Sequence, residues 1–149
     1  EDFVKAYFKK FPGVKKYLDG MRRQAAEIGY VETLLGRKRY FPALQGKINM
    51  QLKNREEREA INAPIQGTAA DIMKLAMLKI PSALKAAGLK GKMLLQVHDE
   101  LVLECPKSET QKTAQVVQDT MANAYPMSIP LETEARAGVS WGEMTVLKS

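Results

Sequence analysis

The stretch "KMLLQVHDELVLEC", residues 92–105, decides how this chain is read. Met93, Leu94, Leu95, Gln96 and Val97 form one mostly apolar run, and Leu101, Val102 and Leu103 form another. His98, Asp99 and Glu100 stand between them. Short apolar runs at this spacing predict strands at 92–97 and 101–105, paired as an antiparallel hairpin. Its turn would hold a histidine and two carboxylates at one sheet edge. A tight turn fixes Asp99 on rigid backbone, where its carboxylate can meet a hard cation. Mg²⁺ takes oxygen ligands, usually one or two protein carboxylates with phosphate oxygens and water. Two such ions can activate an attacking hydroxyl and stabilise a leaving pyrophosphate, and phosphoryl transfer needs mainly that positioning and charge neutralisation. An ordinary turn accounts for the same residues, because Asp is a common turn former and a lone histidine there is often only solvated. Asp71, on a helix, and Glu104, on the second strand, lack a partner spacing for a metal site. His98 is the only histidine and nothing local marks a nucleophile elbow, so a serine or cysteine nucleophile is poorly supported.

Upstream of the hairpin, residues 53–80 carry a helical pattern. Ile65, Ala69, Ile72, Met73, Ala76, Met77 and Ile80 form an apolar stripe. Pro64 and Gly67 leave two alternatives, one kinked helix or a first helix ending near Asn62 and a second starting with Pro64 in its first turn. Pro81 bends or ends the helix, and Gly88 closes the segment beyond it. Arg58, Asn62 and Gln66 are four residues apart, so an unbroken helix stacks them on one face. Arg can hold a phosphate or a groove acceptor. The two amides can donate to purine N3 and pyrimidine O2, minor-groove acceptors present on every correct base pair. Such a row tests pairing geometry without reading sequence. The polar face of an amphipathic helix would look the same.

Before that helix, "YVETLLGRKRYFP", residues 30–42, favours a short hairpin turning near Gly36, with Arg37, Lys38 and Arg39 just after the turn. These cations can grip phosphates or simply decorate a charged turn. Residues 43–52 read as a polar connection. Residues 2–28 read as helix interrupted at Pro12-Gly13 and stopped by Gly29. After the central hairpin, "SETQ" at 108–111 has the spacing of a capping box before a helix carrying Ala114, Val117, Met121 and Ala124. In 131–137, Leu131, Thr133, Ala135 and Ala137 alternate with Glu132, Glu134 and Arg136, which predicts a half-buried strand. Trp141 is expected to pack the end of the chain. This element order argues for an α+β fold with a small antiparallel sheet.

Composition narrows the partners. The 149 residues are 45% hydrophobic, enough for a real core. The net charge of +6 is uneven: residues 1–58 hold 14 Lys/Arg and 7 Asp/Glu, residues 59–149 hold 9 and 10. A basic half beside a near-neutral half suggests a surface facing a polyanion. Cys105 is the only cysteine, so no intramolecular disulfide forms, which fits a reducing compartment. No apolar run approaches the roughly 20 residues that span a bilayer, and no membrane partner is expected. The chain opens without methionine in a stretch already helix-like, which suggests a piece of a longer protein.

Together these motifs form a longer pattern. "LLQVHDELVLE" resembles the motif C hairpin of family A DNA polymerases, the bacterial DNA polymerase I family. "EREAINAPIQGTAADIMKLAM" resembles the segment upstream of it, and "GYVETLLGRKRYFP" and "FPGV" resemble the family's fingers-to-palm region and the helix before it. Order and spacing agree over essentially the whole chain. The resemblance implies that 1–64 forms the end of the fingers with the basic hairpin and 65–149 the second half of the palm, an incomplete polymerase hand. It implies that Asp99 is the catalytic aspartate binding Mg²⁺, that Glu100 lies near two such ions, and that His98 contacts the primer-end backbone. Arg58, Asn62 and Gln66 would follow the minor groove of primer–template DNA, Arg37 and Arg39 the template strand, and Gln96 would face the duplex. Thr68 and Asp71 would be structural.

The family's first catalytic aspartate, in motif A, is absent here. So are its motif B helix, which binds the incoming dNTP, its thumb and any exonuclease domain. One aspartate cannot build a two-metal site. The chain is therefore expected to be inactive alone and to work joined to, or assembled with, the remaining N-terminal part, in the bacterial cytoplasm. The rival readings are a non-catalytic, basic duplex-binding module and a single-subunit RNA polymerase relative.

Overall fold

A computed structural model describes residues 2–147 and divides the chain into two compact units, 1–69 and 70–149. The first contains α1 (Asp2–Lys10), α2 (Pro12–Ile28), β1 (Tyr30–Glu32), β2 (Lys38–Tyr40), a 3-10 turn (Pro42–Gln45) and the first part of α3 (Met50–Ala86). The second contains the rest of α3, β3 (Lys92–Val97), β4 (Glu100–Glu104), a 3-10 turn (Lys107–Glu109), α4 (Thr110–Ala122), β5 (Arg136–Ala137), a 3-10 turn (Trp141–Glu143) and β6 (Thr145–Val146). The fold class is α+β, as expected. Among the described residues its strands make three antiparallel pairs, β1–β2, β3–β4 and β5–β6, where the sequence suggested one small sheet.

In the first unit, Pro12 begins α2 where a missing N–H costs nothing, and Gly29 ends it in the left-handed region, at φ 79. The Gly29 N–H closes on the Ala25 carbonyl, and the Gly29 carbonyl accepts from Phe41 N at 2.7 Å. That bond joins the helix end to the end of the β1–β2 hairpin, whose register is Tyr30↔Tyr40, Val31↔Arg39 and Glu32↔Lys38. Val31 and Phe41 are thereby buried with Ala25, Ala60 and Ala63, and Met21 and Leu44 pack against them. The small residues at 60 and 63 leave α3 room for the Phe41 ring. Tyr17 donates to the Ile61 carbonyl at 2.8 Å.

The Pro64 ambiguity resolves to one helix. α3 runs unbroken through Pro64 and Pro81. Pro64 is buried beside Ala63, so packing compensates for the hydrogen bond a proline cannot donate. In the second unit α3 presents Ala76, Ile80 and Leu84 to Val117 and Ala124, with Leu101 and Leu103 of β4 packed against this cluster. Gly88, at φ 69, closes the helix, with Gly88 N bonding Lys85 O and Leu89 N bonding Leu84 O.

Three expectations for the C-terminal third are corrected. The cap falls later than the box spacing puts it: Ser108 lies in a 3-10 turn, α4 begins at Thr110 behind Glu109, which makes no side-chain cap bond, and Glu109 accepts from Lys90 N. Only Arg136–Ala137 of the expected 131–137 strand is paired. The alternation of half-buried and exposed residues persists through 131–137, but the Thr133 carbonyl is taken by Gln118 of α4 and not by a strand. Trp141 is half exposed and does not seal the chain end.

Candidate active site and nucleic-acid interface

The β3–β4 pair forms as the sequence predicts, with a shorter turn. Glu100 belongs to β4 and pairs with Val97, so His98 and Asp99 alone make the loop. A two-residue hairpin loop demands positive φ, and His98 supplies it at φ 52. A non-glycine residue in that region is held there by its surroundings. Here β3 and β4 clamp both sides, and Gln96 Nε2 donates to the His98 carbonyl at 2.5 Å. Gln96, expected to face a duplex, is exposed and also braces the turn through this bond. His98, Asp99 and Glu100 are all exposed. A register shift between Met93 and Leu95 leaves Leu94 as an extra residue, and Leu94 and Leu95 are 54% and 50% exposed.

Asp99 therefore stands at the tip of a two-residue turn with Glu100 next to it. Adjacent exposed carboxylates suit a hard cation that also takes phosphate and water oxygens. The set is partial: among the described residues no three His, Cys, Asp or Glu side chains converge to hold a metal.

In the first unit, Arg58, Asn62 and Gln66 lie on continuous helix, are all exposed, and form the expected row. The Arg58 guanidinium donates back to the Asn54 carbonyl at 3.2 Å. The turn between β1 and β2 is built by Thr33 and Gly36. Thr33 N bonds Arg37 O, Gly36 N bonds Thr33 O, and Gly36 sits at φ 84. Three cations come next in the chain and each is held differently. Arg37 donates through Nη2 to the Gly67 carbonyl at 3.0 Å. Lys38 lies over the Tyr30 ring and near Glu32, and contact with Tyr30 above all keeps its ammonium above the ordinary value. Arg39 pairs with Glu59 at 2.6 Å. A cavity of about 90 Å³ between hairpin and helix is lined by Thr33, Arg37, Lys38, Arg39, Gln66 and Gly67 among others.

Sequence reasoning missed Glu59 as the countercharge of Arg39, and it treated Gly67 only as a complication in the helix. The signal for Gly67 was present, since a glycine where alanine would favour the helix often marks a close approach.

Residues 1–143 match the model of DNA polymerase family A. This chain belongs to that family. The family A chain is 47% identical over 141 residues to DNA polymerase I of Streptococcus pneumoniae, covering 95% of this chain and 16% of that protein. It is 47% identical over 136 residues to DNA polymerase I of Mycobacterium tuberculosis, and 44% identical over 139 residues to the thermostable DNA polymerase I of Thermus aquaticus, covering 15% and 16% of those proteins. Among solved structures it is similar to the POL domain of Pol1 from M. smegmatis in complex with DNA primer-template and dNTP. That likeness has a TM-score of 0.79 at 48% identity, and covers 87% of this chain and 23% of the other. The family A chain thus spans less than a quarter of each of these relatives. No helix among its described residues is long and apolar enough to cross a membrane.

Proposed function

We propose that this chain is the C-terminal part of a DNA-templated DNA polymerase that adds dNMP to a primer 3′ end. The observation that carries the reading is the exposed Asp99 at the tip of a two-residue turn, inside a chain of this family. On this reading 1–64 supplies the end of the fingers and 65–149 the second half of the palm.

Asp99 is the protein ligand this chain offers to Mg²⁺, with Glu100 beside it, and a second carboxylate comes from the rest of the polypeptide. When bound, two such ions neutralise phosphate charge and favour attack by the primer hydroxyl. The chain's own residues do the positioning. The hairpin presents Asp99 at the tip of a two-residue turn, which lowers the cost of assembling the site. His98 contacts the primer-end backbone. Arg58, Asn62 and Gln66 follow the minor groove, where amide donors meet acceptors common to all correct pairs. Arg37 and Arg39 face template phosphates, and Gln96 steadies the turn that reaches the duplex.

Asp99→Asn in the complete polymerase keeps the side-chain shape and removes the charge. Primer–template binding should persist while Mg²⁺-dependent extension falls by several orders of magnitude. Unchanged extension would refute the assignment. The concentration of net charge in unit 1–69, with 14 basic and 8 acidic residues against 9 and 9 in unit 70–149, favours a duplex-binding module as the second reading. That reading expects Mg²⁺-independent binding as its whole activity.

A further inference from the structure

The basic turn meets α3 at one step of the helix, where it bonds two residues of small size, Gly67 and Thr68. Leu34 N donates to Thr68 Oγ1 at 3.0 Å, and Thr68 is 8% exposed. Arg37 donates through Nη2 to the Gly67 carbonyl, while its own backbone N–H donates to Thr33 Oγ1 at 3.1 Å. Thr33 is itself buried against the helix. A Cβ at Gly67 would lie 2.6 Å from Thr33 Cγ2 and 3.3 Å from Arg37 Nη2. The first distance is shorter than real Cβ contacts allow, and Thr33 has no long side chain to swing away.

We propose that Gly67 and Thr68 are positioning residues that seat the basic turn 33–39 on α3, setting where its cations meet the template strand. The inference rests on the proposed polymerase function. Gly67 admits Thr33 and offers its carbonyl to Arg37, and Thr68 receives the turn backbone. The seat lies one residue beyond Gln66, so it also fixes the spacing between the basic turn and the minor-groove row. Arg39 is held by Glu59, an exposed ion pair that a phosphate can replace. A seat of hydrogen bonds and close packing cannot be exchanged in that way.

The test uses the complete polymerase, with a fluorescent primer–template and a salt series. Gly67→Ala should raise the dissociation constant about tenfold and flatten the salt slope by about one, as losing one phosphate contact does. Alanine is the better helix former, so a weakened helix cannot account for that loss. Thr33→Ser removes Cγ2 but keeps the oxygen that accepts from Arg37, so adding it to Gly67→Ala should return both values to native. Thr68→Val should weaken binding as Gly67→Ala does, and Thr68→Ser should not. Native affinity and slope in both Gly67→Ala and Thr68→Val would overturn the seat, as would failure of Thr33→Ser to rescue. Arg39→Ala separates the two levels. If it weakens binding while the seat variants do not, only the seat is wrong; if it too changes nothing, the interface reading falls with it.

Discussion

Tyr17 shows how a single side chain ties a helix to the candidate interface. Its hydroxyl donates to the Ile61 carbonyl, one residue before Asn62 in the proposed minor-groove row. Burial raises the phenol above its ordinary value of 10.0, so the folded state favours the neutral form. Its stabilising effect is therefore complete below about pH 10 and fades as pH climbs through the raised folded value. Tyr17→Phe should cost about 1 kcal/mol in urea unfolding at neutral pH and should remove part of the alkaline loss of stability. An alkaline limb identical in the variant would mean another group controls it. Single residues were unevenly legible in the sequence. Asp99 stood out because a carboxylate between two apolar runs contrasts sharply with its neighbours. Thr68 and Glu59 did not, because their partners Leu34 and Arg39 are 34 and 20 residues away and only tertiary packing joins them.

At the scale of elements, periodic patterns with local causes were readable, and those needing distant partners were not. Gly29 and Gly88 stop helices as the sequence indicates, through left-handed backbone that glycine adopts freely. The 131–137 alternation correctly marked which side is half-buried, yet a strand also needs a neighbour, and pairing here reaches only Arg136 and Ala137. In α3, two prolines argue for breaks on local grounds, and burial of the helix face overrides them. The two prolines then differ. Pro64 is buried, while Pro81 is exposed and has less packing to set against its missing N–H. Pro81→Ala should therefore stabilise the chain by about 1–2 kcal/mol, the interior-proline cost less the flexibility gained by the unfolded chain. A raised urea midpoint with unchanged slope would show it. An unchanged or lowered midpoint would mean that Pro81 relieves strain in the last two turns of α3.

For the whole molecule, the question is what this length of chain can do by itself. Its candidate metal-binding turn offers two adjacent carboxylates, and a site for two ions needs more. Among the described residues the ribbon that carries the turn has two strands, and Leu101 and Leu103 of β4 hold it against α3 and α4. Leu94 and Leu95 are half exposed on β3, an apolar strand with an open edge. Under the proposed function the same missing segment meets both needs: a strand against this ribbon covers the leucines and brings the second carboxylate to Asp99. The purified chain should therefore bind primer–template through its basic unit but add no nucleotide with Mg²⁺ and dNTPs. Mixing it with the remaining part of the polymerase should restore extension, and Leu94→Lys should block that restoration while leaving duplex binding in place. Extension by the chain alone would refute the incomplete site. Restoration that ignores Leu94→Lys would place the missing strand elsewhere.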